Sequence, residues 1–443
     1  MEIIADLEVH SKYSRAVSSA MDVPTINLWA FKKGINLVGT GDFTHPMWFR
    51  ELESNLVEEN QGIYKLKFPP KDFVSGSEKI RFLLTSEVSC IYTHKGKGRR
   101  VHVIVILPTF TSVQNFNKEL TKRGANLFSD GRPIIGLTLS QVAEIALSAS
   151  QKALIIPAHV WTPWFGFYGS MSGYDSLQEA FGDYEKFIPA VETGLSSDPA
   201  MNWRIAELAN KRIVSFGDAH SPQKLGREAT VFELDELNYD AIGRAIWGKG
   251  PEEITYTIEF YPEEGKYHYT GHRKCGVTYS PNETRKKGLT CPVCGRPLTL
   301  GVMSRVESLS ASKQEIEIQD DNYGVRWIKA KEAEDVKKPY VMLVPLLEIL
   351  AQSLGLGVSS KKVSGLYDHL ITKLGSEFSI LLKTDIDVIK KIAGEKVSEA
   401  ITKVRSGDIS IKPGFDGVFG QVKIWSSNAL ASEDKIQEQA SLF

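Results

Sequence analysis

The first 230 residues repeat one hydrophobic pattern. Short apolar runs at residues 2–5, 35–38, 82–84, 101–107, 153–157, 188–191 and 212–216 each give way to polar residues. Several of these runs are separated by stretches with helical spacing, at 26–33, 139–150 and 200–211. Strand-sized runs alternating with amphipathic helices predict a parallel α/β sheet or barrel. In such folds chemistry collects at the carboxyl ends of the strands. Residues 82–91 and 99–107 depart from the alternation: only THKGKG separates them, which predicts a hairpin with a solvated basic tip.

The texture changes after residue 250. Residues 251–305 hold a cysteine cluster, and 306–338 are polar with mixed charge, the pattern of a connector. From residue 339 helical periodicity dominates, ending in DIDVIKKIAG and EKVSEAITKVRSG. That pair has the shape of a helix-hairpin-helix turning at Gly394. The expected units are therefore residues 1–250, 251–305, 306–428 with an all-α character, and a polar tail over 429–443.

Composition and charge narrow the function. The chain has 443 residues, 42% hydrophobic and 24% charged, an ordinary folded composition that excludes disordered, collagen-like and disulfide-stapled classes. A formal net charge of -1 argues against indiscriminate coating of nucleic acid or anionic membrane. The balance is uneven, however. Between residues 266 and 305 eight Lys and Arg face one acidic residue, leaving +7 there and -8 elsewhere. No apolar run approaches the roughly 18 residues of a membrane span. The start, MEIIADLEVH, lacks the pattern of a secretory signal, so the expected address is the cytoplasm, without a membrane partner.

Candidate chemistry sits at the strand ends. Asp6, Glu8, His10 and Ser11 follow the first run, and Asp42 and His45 lie in GTGDFTHP after the second. Further along come Glu87, His102 in RRVHVIV, His159 in PAHVW, Glu192 in AVETG, and Asp218 with His220 in GDAHS. Imidazoles and carboxylates converging on one barrel mouth suit divalent cations, which can bridge a phosphate and activate a water. Asp198, in the turn after Glu192, is either a further carboxylate near that centre or a helix N-cap.

Two more clusters stand out. His272, Cys275, Cys291 and Cys294 have the two-knuckle spacing of a zinc ribbon, with His272 fitting better than His268. Arg273, Lys274, Arg285, Lys286 and Lys287 on its loops would present a basic surface to phosphates. The segment WTPWFGFYG places Trp161, Trp164, Phe165, Phe167 and Tyr168 directly after His159. These aromatics are either a hydrophobic cap on the barrel rim or a stacking platform for an extruded base.

The ordered set DLEVHS, GDFTH, Glu87, His102, PAHV and GDAH resembles the polymerase-and-histidinol-phosphatase (PHP) superfamily over the first 230 residues. That resemblance implies a distorted (β/α)7 barrel with a phosphoesterase centre of two or three divalent metals, Zn, Mg or Mn. Its ligands would be Glu8, His10, Glu87, His102, His159, Asp218 and His220, with Asp42 or His45. The first motif departs from the usual His-x-His: Glu8 is a harder ligand and favours Mg or Mn at its position. A PHP barrel followed by a zinc ribbon and a helical region resembles the endonuclease Q family along nearly the whole chain. This implies a structural zinc and incision of double-stranded DNA on the 5′ side of uracil, hypoxanthine, xanthine or an abasic site, leaving a 5′-phosphate. It also implies a cytoplasmic, nucleoid-associated protein.

The last five residues resemble the peptide by which bacterial repair proteins bind the sliding clamp, with Gln439, Leu442 and Phe443 as anchors. Two other readings stay open: a PHP-type phosphatase of small molecules, and a DNA-binding module with a decayed metal centre.

Overall fold

The computed structural model describes residues 1–69, 74–311, 314–333 and 335–425. The clamp-like residues Gln439, Leu442 and Phe443 lie outside them.

Seven strands close the expected barrel. Glu2–Asp6 runs parallel to Leu37–Gly39, which runs parallel to Arg81–His94. Lys97–Leu107 pairs antiparallel with Arg81–His94 and again with Leu154–Pro157. The hydrogen bond from Val160 N to Glu192 O (3.2 Å) leads to Ala190–Glu192, parallel to Arg212–Val214. The ring returns to its start through a parallel bridge between Val9 and Ala219, where His10 N donates to Ala219 O at 3.0 Å. The antiparallel Lys97–Leu107 distorts the barrel. It follows from the two-residue turn at Lys95 (φ 49°) and Gly96 (φ 75°), which leaves no room for a crossover helix.

Local signals set the helices around this ring. Val23–Lys33 begins at Asp22, whose carboxylate accepts from Thr25 N at 2.9 Å, and stops at Gly34 in the left-handed region. Thr109 and Thr138 form capping boxes at the starts of Phe110–Lys122 and Leu139–Ala149. The helix expected at 200–211 is broken: only Pro199–Asn202 is α-helical, followed by a 3-10 turn at Ala206–Leu208. Its apolar positions, among them Met201, Ile205 and Leu208, are buried in this compact form.

Beyond the barrel the sheet keeps growing. Ala229–Glu233 lies antiparallel to the first strand, Glu253–Glu259 follows, and Tyr340–Met342, Arg326–Ala330 and Ile316–Asp320 complete the edge. Residues 253–259 thus join the central sheet instead of opening the ribbon, and the connector expected at 306–338 holds two of the edge strands. Ile316–Asp320 (IEIQD) is exposed throughout, an edge strand whose Glu317 and Asp320 guard it against pairing with another chain and whose alternation is too short to stand out from a polar connector.

The last unit is helical from Leu346–Leu354 to Glu395–Arg405 and ends in a small hairpin, Ser410–Lys412 with Gln421–Lys423. Ile386–Ala393 and Glu395–Arg405 meet at Gly394 (φ 85°), the turn the pattern predicts. A buried pair joins this unit to the barrel: Lys33 Nζ lies 2.8 Å from a Glu377 carboxylate oxygen. Arg405, 2% exposed, donates to the carbonyls of Leu381 (2.9 Å), Ile380 (2.8 Å), Thr384 (2.6 Å) and Tyr323 (2.9 Å). Among the described residues no helix is long and apolar enough to cross a membrane.

Candidate metal centre

Extended backbone presents residues i and i+2 on one face, so Glu8 and His10 emerge together. The bridge at Ala219 sets Asp218 and His220 beside them. His10 Nε2 lies 3.1 Å from Asp218 Oδ1 and 3.2 Å from Glu87 Oε2. The two imidazole rings of His10 and His220 meet edge to face at 4.7 Å. Across the mouth, Glu87 Oε1 is 2.5 Å from His102 Nδ1 and 3.0 Å from His159 Nε2. Two groups of three thus have donor atoms close enough to share a cation: His10, Asp218 and His220, and Glu87, His102 and His159.

Three of these strand-end residues have left-handed backbone: Asp42 (φ 48°), His159 (φ 29°) and Asp218 (φ 44°). Non-glycine residues adopt that region at a cost and concentrate at functional sites. In two cases the preceding residue is a glycine with no space for a side chain. A Cβ on Gly41 would lie 2.1 Å from Val9 O, and one on Gly217 would lie 2.6 Å from the Asp6 carboxylate.

The electrostatics of the mouth are those of an acidic cage. Burial pushes the Glu8 carboxyl well above its ordinary range, and the neighbouring Glu192 and Glu87 add to the rise. Neither oxygen of Glu8 accepts from an N–H or hydroxyl donor, although the residue is only 2% exposed; its hydrogen-bonding neighbour is the Glu192 carboxyl. Burial likewise raises Glu192 to about 7, while its Oε2 accepts from His159 N at 2.6 Å. For Glu87 burial works in the same direction, but His102 and Arg132 outweigh it and hold the carboxyl well below its usual range. Burial brings the His102 imidazole down to about 4, keeping it neutral, the form that ligates a metal. A buried carboxyl that no N–H or hydroxyl donor reaches, beside two His and carboxylate triads, fits divalent cations.

The remaining strand-end residues take other places. Asp42 lies behind His10, with Oδ1 3.0 Å from Nδ1, and its Oδ2 accepts from Ser11 N (2.6 Å), Ser11 Oγ (2.7 Å) and Ser14 Oγ (2.8 Å). His45 stacks on Tyr13 at 4.5 Å and is in neither triad. Asp6 ties the first strand to the turns at Gly217 and Gly226, accepting from each backbone N at 2.8 Å. Asp198 caps Pro199–Asn202, accepting from Met201 N at 2.8 Å, which is the N-cap alternative for that residue.

A cleft of about 580 Å³ opens above the triads, with His102, His159 and Asp218 among its lining residues. The aromatic segment divides here. Trp164 and Phe165 line the cleft, whereas Trp161, Phe167 and Tyr168 are buried in the core. Trp161 Nε1 donates to Asn202 at 2.8 Å and Tyr168 OH to Glu207 at 2.6 Å, so their polar ends are satisfied there. The cleft wall also contains Arg15, Arg132, Lys266, Tyr267 and Phe419, which strand-end reasoning misses. Arg132 Nη1 lies 3.0 Å from Glu87 Oε2, and Tyr267 meets Trp164 edge to face at 5.1 Å. A basic or aromatic residue on an irregular loop has no periodicity to mark it.

The ribbon gathers His272, Cys275, Cys291 and Cys294 with ligand atoms within 4.8 Å of one another. His272 ends the strand Thr270–His272, and Cys294 Sγ is 3.4 Å from its Nδ1. Gly295 (φ 69°) closes the second knuckle, donating to Cys291 O at 2.9 Å. The backbone N–H groups of Cys294 and Val293 overcome burial and lower the Cys291 thiol to about 6, favouring the thiolate a zinc site requires. His268 is buried against Tyr269 at 5.3 Å, outside the cluster. Arg273, Lys274, Arg285, Lys286 and Lys287 are all exposed; Lys287 pairs with Glu283 at 2.8 Å and Arg285 with Glu307 at 3.4 Å.

Two solved structures have this architecture throughout. One is the lesion-specific endonuclease PfuEndoQ from Pyrococcus furiosus, 32% identical with a TM-score of 0.79, covering 98% of this chain and 99% of that one. The chain belongs to the endonuclease Q family. A second endonuclease Q structure, complexed with a 27-mer duplex carrying an abasic lesion at the active site, is 33% identical with a TM-score of 0.79. It covers 96% of this chain and 97% of its own. The domain family described as the MJ0043 C-terminal domain matches residues 345–408, the helical unit. Protein MJ0043 of Methanocaldococcus jannaschii is 34% identical over 269 residues, 59% of this chain. The match spans 31% of that protein's length. YqxK of Bacillus subtilis is 29% identical over 401 residues, 88% of this chain and 89% of its own. Endonuclease Q is an enzyme family, and this chain carries two groups of residues able to hold a cation.

Proposed function

We propose that this endonuclease Q homologue incises duplex DNA on the 5′ side of deaminated bases (uracil, hypoxanthine, xanthine) and of abasic sites. The observation that carries the reading is the acidic cage: Glu8, buried against Glu192 with no N–H or hydroxyl donor to either oxygen, beside two His and carboxylate triads on the floor of the cleft. Glu8, His10, Glu87, His102, His159, Asp218 and His220 are the proposed ligands. Divalent cations bound there, two or three in number and of the Mg, Mn or Zn type, would activate a water and neutralise charge gathering on the phosphate.

The chain's own residues supply the rest. Asp42 and Glu192 orient the centre from behind, Asp42 through the His10 ring and Glu192 through the His159 backbone. Arg132 and Arg15 bring positive charge to the cleft wall where the strand's phosphates pass. Trp164 and Phe165 offer faces on which an extruded base stacks. A deaminated base pairs poorly, so turning it out costs less than turning out a normal one. The ribbon, with its zinc held by His272, Cys275, Cys291 and Cys294, and the hairpin at Gly394 grip the backbone without reading sequence. The last five residues, with Gln439, Leu442 and Phe443 as anchors, would tether the enzyme to a sliding clamp, which their deletion tests by loss of clamp retention.

Metal analysis followed by nicking assays on duplexes with a single uracil, hypoxanthine, xanthine or abasic site tests the central reading. One cut on the 5′ side of the lesion, abolished by chelation, is expected. Hydrolysis of free phosphate monoesters with intact DNA would establish the phosphatase alternative instead. Binding of lesion DNA without any cut would establish the non-catalytic one.

A further inference from the structure

Phe419 is 66% exposed, yet it lines the cleft above the triads. It sits on the loop between Ser410–Lys412 and Gln421–Lys423, and that loop is rigidly mounted. Gly414 N donates to Glu263 O (2.8 Å), Gly417 N to Lys266 O (2.9 Å) and Gly420 N to Glu264 O (3.0 Å). A Cβ on Gly420 would lie 2.0 Å from Glu263 O, so the loop reaches this closeness only through glycine. Asp416, in left-handed backbone (φ 42°), fastens the same loop to the ribbon by accepting from Arg273 N at 2.7 Å and Thr299 Oγ1 at 2.6 Å. Lys266 Nζ stands 4.4 Å from the Phe419 ring centroid, placing a phosphate-seeking charge beside the ring.

These backbone contacts fix where the exposed ring stands, and with Val418 (41% exposed) beside it the loop presents a small apolar tip at the cleft. Extruding a nucleotide leaves a gap in the base stack, and apolar side chains inserted at such steps hold the duplex open. Trp164 and Phe165 belong to the barrel loop beside His159, within reach of the extruded base itself; Phe419 comes from a separate segment. Resting on the endonuclease reading above, we infer that Phe419, with the exposed Val418 beside it, is a wedge that fills the gap left by the extruded nucleotide. The ribbon's hold on Asp416 sets the wedge against the barrel. This gives the ribbon a second role, positioning the loop as well as gripping phosphates.

The test compares single-turnover incision of uracil in a fully paired duplex with incision of the same uracil inside a small unpaired bubble. Phe419→Ala should slow the paired substrate roughly tenfold or more beyond its effect on the bubble, the scale of one lost aromatic stack. Phe419→Trp should restore the paired rate. A 2-aminopurine next to the uracil should lose most of its binding-induced fluorescence rise in Phe419→Ala. Because the side chain is exposed, melting temperature should not move. Equal slowing on both substrates, or no slowing on either, overturns the wedge while leaving the endonuclease reading intact. Absence of incision by the unsubstituted, metal-loaded chain overturns the endonuclease reading itself and the wedge with it.

Discussion

Asp42 holds the His10 ring: Oδ1 lies 3.0 Å from Nδ1, while Ser11 and Ser14 donate to the other oxygen. A carboxylate behind a ligating imidazole fixes its tautomer and raises its basicity. Asp42→Asn keeps a residue type that tolerates the left-handed φ of 48°, so folding should survive. Metal affinity should fall about 10–100-fold. Titration of bound metal together with a thermal melt checks both halves; unchanged metal binding would remove Asp42 from the positioning role.

Glu8 should have opposite effects with and without metal. Its two oxygens are buried among other carboxyl groups, with no N–H or hydroxyl donor to either, which destabilises the metal-free chain. Glu8→Gln should therefore raise the metal-free melting temperature by about 1 °C for each kcal/mol gained in a chain of 443 residues. The same substitution should lower both metal content and incision. A metal-free variant that melts below the unsubstituted chain would argue that Glu8 is already satisfied.

The ribbon cysteines should matter for folding and DNA affinity more than for bond cleavage. Cys291 is 1% exposed within a small hydrophobic cluster containing Tyr279 and Leu298. Cys291→Ser should release zinc and lower the melting temperature. Its DNA binding should weaken, with hydrolysis of a small phosphodiester changed less than twofold. Zinc analysis and a filter-binding titration read these separately.

Arg405 closes the helical unit from within. Its guanidinium donates to four backbone carbonyls. Arg405→Met would strand several buried acceptors, each costing ~1–3 kcal/mol. Denaturant unfolding should show a loss of about 3 kcal/mol or more by that measure. A loss under about 1 kcal/mol would mean that water replaces the guanidinium.

Glu259 predicts a pH dependence of stability. The side chain is fully buried, accepts from Ser215 and Thr257, and faces Glu228. Burial raises its carboxyl from 4.5 to about 8. Between those values the folded chain binds the proton that the unfolded chain has lost, so this group's contribution to stability is fully present below pH 4.5 and is lost as pH rises towards 8. Glu259→Gln should flatten this part of the profile. Melts at pH 5 and at pH 8 would expose the difference; an unaltered slope would assign the effect to another group.

The alternation that makes the barrel, the metal-type residues at its strand ends and the spacing of the ribbon knuckles are all legible along the chain. These are local properties: a period of two or three to four, or a pair of cysteines two apart, is written within a dozen residues. Even the positive φ at Asp42 and Asp218 had a local signal in the Gly-Asp pairs. Packing between distant segments decided what each side chain faces. It turned Asp42 behind His10, made Asp198 a helix cap, and sent three of five neighbouring aromatics into the core. It also assembled the cleft wall from Arg15, Arg132, Lys266 and Phe419. Those residues lie on irregular segments far apart in the chain. Their convergence depends on how the barrel, ribbon and final hairpin pack, a long-range outcome with no periodic trace in the sequence.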